Sequence, residues 1–156
     1  MKGYILNLYT KERIEFKDGT GRIVMLNDVS ESKEANYNTE ETLGRSEGYL
    51  IYANSSNKTI SFSIGFYFDN PEKTHQIKQK FESLVYPSKQ GNIPIPPPPV
   101  LLVWGNYYKI RGVVKSFQAT PNNRWSLKYG LPYGIDINLE IVEVNLKPKY
   151  HKEVWK

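Results

Sequence analysis

Two stretches of the chain alternate apolar and polar residues strictly enough to be strands with one buried face. In the first, Ile60, Phe62, Ile64 and Phe66 point one way and Ser61 and Ser63 the other. In the second, Ile135, Ile137, Leu139 and Ile141 oppose Asp136, Asn138 and Glu140. Shorter apolar runs predict strands over 4–9, 14–16, 22–26 and 48–53, the last joined to 59–68 by a hairpin loop at 54–58. Lys17-Asp18-Gly19-Thr20-Gly21 is a turn between the second and third of these. A further hairpin is predicted where 100–104 ends in Trp104-Gly105 and the chain returns over 107–119, with Gly105-Asn106 as the turn. Residues 125–130 read as a short strand or bulged edge, and 132–144 as the last strand.

Between these strands the pattern changes three times. Asn70 can cap a helix over 71–86, Pro71 and Glu72 suit its first turn, and Ile77, Phe81, Leu84 and Val85 make one apolar stripe. Residues 87–99 come next as a stiff connector, because four consecutive prolines at 96–99 lack N–H donors and hold the chain extended. Residues 28–48 are a polar excursion, read as a long loop of the kind that serves as a binding arm. The predicted core is Phe62, Ile64, Phe66, Ile77, Phe81, Val103, Ile137 and Leu139, with Trp104 and Gly105 as further structural positions. The fold class is mainly β with one flanking helix, about eight strands arranged as an antiparallel barrel or sandwich.

At 156 residues the chain suits one domain, 1–145, with an extension at 146–156 that shows no period. Cysteine is absent, which excludes disulfides, thiolate metal sites and cysteine nucleophiles, and fits a reducing cytoplasm. The N-terminus lacks a secretion-type apolar region and no apolar run reaches the roughly 20 residues that span a bilayer, so the sequons at Asn54 and Asn57 are expected to stay unmodified. The net charge of +5 is scattered, with a local excess at Lys147, Lys149, Lys152 and Lys156, and reads as solvated surface.

Candidate chemistry is sparse. His75 and His151 have no second ligand at metal-binding spacing, and no serine stands in a nucleophile elbow. Asp136, Asn138 and Glu140 share a strand face and could in principle line a glycosidase-like cleft, but alternation alone already explains them as a solvated or subunit-facing sheet surface. Trp104, Tyr107, Tyr108, Arg111 and Phe117 could stack single-stranded bases on a β-barrel, but the basic residues are not gathered beside them. An enzyme is not expected, and no cofactor or metal site is. The segments 28–48 and 145–156 are too polar to pack on their own chain yet carry the anchors Tyr37, Leu43, Tyr150, Val154 and Trp155, with Tyr49 just after the first segment; these are the expected partner-binding residues.

The order of motifs is similar to that of the N-terminal tube-like domain of baseplate proteins in contractile tails and contractile injection systems, a family often carrying a LysM module. The matching pieces are Gly48-Tyr49-Leu50-Ile51-Tyr52, the run from Thr59 to Asp69, Pro98-Pro99-Val100-Leu101-Leu102-Val103-Trp104-Gly105, Gly112-Val113-Val114, and Tyr129-Gly130-Leu131-Pro132. The resemblance covers roughly 20–145, and the segment after Val144 is too short for a LysM module. It implies a tail-tube-like β-barrel assembled as a ring, six-fold by analogy, at the baseplate end of a tube. Its implied partners are copies of itself, the tail tube, the baseplate wedge or hub and the sheath, with nucleic acid only as passing cargo and no membrane or small-molecule substrate. Its implied location is the virion tail or baseplate, assembled in the bacterial host cytoplasm. The alternative from the residues is a single-stranded nucleic-acid-binding β-barrel, and a cell-wall hydrolase is the third reading.

Overall fold

The computed structural model describes residues 2–17, 23–26, 28–41 and 43–144. In chain order the elements are β1 (Lys2–Asn7), β2 (Arg13–Lys17), β3 (Ile23–Met25), β4 (Ser30–Ser32), β5 (Ala35–Glu40), β6 (Tyr49–Ser55), β7 (Thr59–Tyr67), α1 (Pro71–Ser83), β8 (Ser88–Gln90), β9 (Ile93–Ile95), β10 (Val100–Trp104), β11 (Tyr108–Pro121) and β12 (Gly134–Glu143). Eight of them form one antiparallel sheet in the order β2-β1-β10-β11-β12-β7-β3, with β4 pairing beside β3 on the same edge of β7. No pairing joins β2 to β3 among the described residues, so the sheet is open and sandwich-like rather than a closed barrel. The fold is mainly β, antiparallel, with a single flanking helix among the described residues.

Register decides which side chains meet. Across three central strands Val114, Ile141 and Ile60 lie in one row, Phe117, Leu139 and Phe62 in the next, and Ala119, Ile137 and Ile64 in the third. Ile14, Ile5, Leu102 and Ile110 continue the same face through β2, β1, β10 and β11. Ile137, Leu139 and Ile141 of β12, like Ile5 and Leu102, therefore have apolar neighbours on both adjacent strands, the unit by which sheets are stabilised. A bulge between Val114 and Ser116 inserts one residue into β11. The insertion changes the phase, so that Gly112 and Val114 before it and Phe117 and Ala119 after it all face inward. Gly112 is required by closeness, since a Cβ there would lie 2.3 Å from the Val142 carbonyl oxygen.

The helix covers the inner face over β11 and β12. Asn70 Oδ1 accepts the Glu72 N–H at 3.0 Å, Pro71 occupies the first turn, and the Thr74 hydroxyl donates to the Tyr133 carbonyl at 3.0 Å. The Phe81 ring is fully buried 5.5 Å from Phe66, and Phe66 stacks on Phe68. Trp104 meets Phe62 edge-on at 5.7 Å, and Gly105 makes its turn at φ 57.

Four expectations need correction. Val103 is on the outer face, and Val100 and Leu102 hold the core positions of β10, because the register to Ile5 and Ile110 fixes that phase. Ile77 packs against the core only half-buried. Residues 125–130 form a turn, closed by a single bridge between Trp125 and Pro132, with Gly130 at φ 65. The connector over 87–99 is not uniformly extended: β8 and β9 pair as a small hairpin about Gly91 before the proline run begins.

Candidate functional site: an exposed hairpin arm

The polar excursion is an arm of different extent from the one expected over 28–48. Ser30–Ser32 belongs to the main sheet, whereas Tyr49–Ser55, expected to pair with 59–68, pairs instead with Ala35–Glu40. The two strands form a ribbon in which Tyr37 faces Tyr52, Asn38 faces Ile51, Thr39 faces Leu50 and Glu40 faces Tyr49. Directly opposed residues share a face. One face thus carries Tyr37, Thr39, Leu50 and Tyr52 and no charge, with the two tyrosine rings edge-on at 5.6 Å. The other carries Asn38, Glu40, Tyr49 and Ile51.

Every residue of both strands is exposed, including Leu50 at 70% and Tyr37 and Tyr52 at 55%. A lone two-stranded hairpin is marginal in water, and one with apolar side chains on both faces carries a large hydration cost until something covers it. At the tip Leu43 is fully exposed, Gly44 takes φ 88, and the Arg45 guanidinium lies 3.6 Å over the Tyr49 ring. Gly48 lets the strands close up, since a Cβ there would sit 2.9 Å from the Glu40 carbonyl oxygen.

The root of the arm is clasped by side chains from β4, from β11 and from the connection between β6 and β7. Lys58 Nζ lies 2.7 Å from Glu31 Oε1, and the Tyr108 hydroxyl donates to Glu31 Oε2 at 3.0 Å. The Lys58 hydrogen bond, and after it that of Tyr108, holds the Glu31 carboxyl below its ordinary 4.5 despite partial burial. Lys58 is raised in turn by Glu31, and Tyr108 is pushed up to about 12, first by burial and then by Glu31. A depressed carboxyl stabilises above its ordinary value and ceases to as pH falls through the lower folded value. The clasp should therefore hold at neutral pH and release in acid, with a contribution of at most about 1 kcal/mol because the pair is partly solvated. Amide exchange at 33–58 should quicken on acidification relative to the core strands. Glu31→Gln should show the faster exchange already at pH 7, and unchanged protection in that variant would remove the clasp.

The expected partner-binding residues are thus distributed rather than gathered. Tyr37 and Tyr49 stand on opposite faces of the ribbon, Leu43 is at its tip, and Tyr150, Val154 and Trp155 lie outside the described residues. Leu50, Ile51 and Tyr52 are not among the expected anchors, although Gly48-Tyr49-Leu50-Ile51-Tyr52 is one of the pieces that carry the resemblance. Their signal was an apolar run without alternation, which a strand buried on one face does not need.

The other candidate groups separate. Trp104, Tyr108 and Phe117 pack against the core, while Arg111 is exposed on the opposite face and Tyr107 projects from the turn. The outer face of β7, β11 and β12 holds a groove of about 640 Å³ lined by Asp28, Ser30, Ser61, Ser63, Gln118, Asn138 and Glu140, among others. Asp136 and Glu140 lie four residues apart on one strand, about 13 Å between their Cα atoms. Asp136 accepts the Tyr67 hydroxyl at 2.7 Å, and Glu140 accepts from Ser116 and lies 3.7 Å from Lys115. Burial and Asp136 together push the Tyr67 hydroxyl up to about 12.

No family model matches the chain, and no curated protein matches it. Among solved structures it is similar to a chain in "Structure of the Phage P2 Baseplate in its Activated Conformation with Ca", at 9% identity and a TM-score of 0.49. The match covers 93% of this chain and 45% of that one, so this chain spans less than half the length of its neighbour.

Proposed function

We propose that the chain is a non-enzymatic structural subunit of a contractile-tail baseplate or tube terminus, in a phage or an injection system. It forms a ring that joins the tail tube to baseplate components. The observation that carries an assembly role is the projecting ribbon, whose apolar side chains are exposed on both faces. Contiguous exposed apolar surface on an otherwise well-packed chain marks a protein contact, and a hairpin is suited to lie on another subunit. The baseplate assignment rests on the motif order, whose pieces fall on β6, β7, β10, β11 and the turn before β12. Under this reading the partners are further copies of the chain, the tail tube, the wedge or hub and the sheath, in the virion tail.

The test is incorporation. Purified contractile particles should contain the chain at a fixed ratio to the tube protein, and loss of its gene should stop tails at the baseplate stage. Normal yields of complete tails without it would reject the reading. So would binding of single-stranded DNA or RNA that persists at physiological salt, which belongs to the nucleic-acid alternative.

A further inference from the structure

We infer that the arm of one copy docks on the outer face of β1, β10 and β11 of a second copy. The inference rests on the assembly role proposed above and names the surface that receives the arm.

Three observations converge on it. The first is charge. Glu34, Glu40, Glu41 and Glu47 against Arg45 alone give residues 34–56 a net charge of −3, so the remainder of the chain, on a total of +5, carries +8. An acidic ribbon on a basic body is matched to another body of the same kind.

The second is the pattern on the outer face. Register places Arg13, Leu6, Leu101 and Arg111 in one row across β2, β1, β10 and β11, and Glu15, Tyr4, Val103 and Lys109 in the next. Leu6, Leu101, Tyr4 and Val103 make a half-buried apolar stripe, and the exposed Arg13, Lys109 and Arg111 border it. Glu15 is already matched by Arg13 at 3.2 Å, and the Arg13 guanidinium also lies over the Tyr4 ring at 3.8 Å. The two arginines stand three strand spacings apart, about 14 Å, room for a ribbon whose own strands are about 5 Å apart. The uncharged face with Tyr37, Leu50 and Tyr52 fits the stripe; Glu40 is on the reverse face, so Glu34 at the root and Glu41 and Glu47 at the tip are the carboxylates that would meet the basic borders.

The third is position. The arm leaves the sheet at Ser32 and Thr59 on the β4–β7 edge, and the receiving face lies beyond β12 toward the opposite edge. Donor and acceptor surfaces are therefore different patches on different sides of one chain. Such a contact is head-to-tail, and it makes a ring where the rotation between copies closes and an open filament where it does not.

Sedimentation velocity of the full chain tests this, using Leu50→Asp in the arm and Arg111→Glu on the face. Both sites are exposed, and matching thermal melts confirm that the variants are folded. Wild type should self-associate in a salt-sensitive manner, and each substitution should weaken that by at least about tenfold. Mixed in equal amounts, the two variants should form a one-to-one pair and nothing larger. The Arg111→Glu copy keeps an intact arm and the Leu50→Asp copy an intact face, so only one junction can form. Wild-type self-association by Arg111→Glu would overturn the receiving face while leaving the assembly role standing. A wild type that stays monomeric at hundreds of micromolar, or a mixture that fails to pair, would overturn the docking itself.

Discussion

Phe81→Ala should destabilise the fold by about 3–5 kcal/mol, the range for removing a fully buried aromatic ring. The helix it belongs to is otherwise polar over most of its surface. It is held by Phe81 against Phe66, by the buried Leu84, by the half-buried Ile77 and Val85, and by the Thr74–Tyr133 hydrogen bond. Among the described residues no second helix stands ready to collapse into the space, so the cavity term should be near its full value. Against a total stability of about 5–15 kcal/mol for a domain of this size, one substitution removes a large share. With a urea slope of about 2 kcal/mol/M, the midpoint should move down by about 2 M, with the slope unchanged. Gln79→Ala, on the exposed side of the same helix, should stay within about 0.5 kcal/mol. A loss that small at Phe81 would mean the helix is not seated on the sheet.

Excising residues 35–55 and closing the gap with Asn-Gly should produce the opposite result, an intact fold that no longer assembles. The cut is geometrically mild. The Ser56 N–H donates to the Glu34 carbonyl at 2.7 Å, and Ser32 is paired with Thr59, so a short turn there makes β4 and β7 an ordinary hairpin. The removed residues contribute nothing to the buried core. Urea melts should agree with wild type to within about 0.5 kcal/mol, while self-association and incorporation into particles are lost. Destabilisation by several kcal/mol would show that the ribbon belongs to the fold, and normal incorporation would show that assembly does not use it.

The contrast between these two regions tracks what the sequence made legible. β7 and β12 were readable because both bury one face and solvate the other, so their side chains record the two environments in alternation. The helix was readable because Asn70, Pro71 and the spacing from Ile77 to Val85 are local signals. β10 was misphased because Val100, Leu101, Leu102 and Val103 are all apolar. Such a run declares a strand without saying which residues face the core, and only register with β1 and β11 decides it. The arm was placed but not drawn. Tyr49-Leu50-Ile51-Tyr52 looks like a strand from any angle, and whether it pairs with 35–40 or with 59–68 is a long-range choice that no local propensity fixes. Tyr37 and Tyr49 stand out as anchors in the sequence alone, whereas the shared uncharged face of Tyr37, Leu50 and Tyr52 exists only once the pairing is known.

The way the arm is rooted also determines how it carries force. Its two legs enter the sheet side by side, at Ser32 at the end of β4 and at Thr59 at the start of β7. β7 then runs beside β12 from Thr59 opposite Val142 to Tyr67 opposite Gly134. Antiparallel hydrogen bonds lie perpendicular to the strands, so tension drawn along the legs shears that whole ladder at once instead of peeling it bond by bond. A pull on the ribbon is thereby shared across the central strands of the sheet instead of falling on one edge.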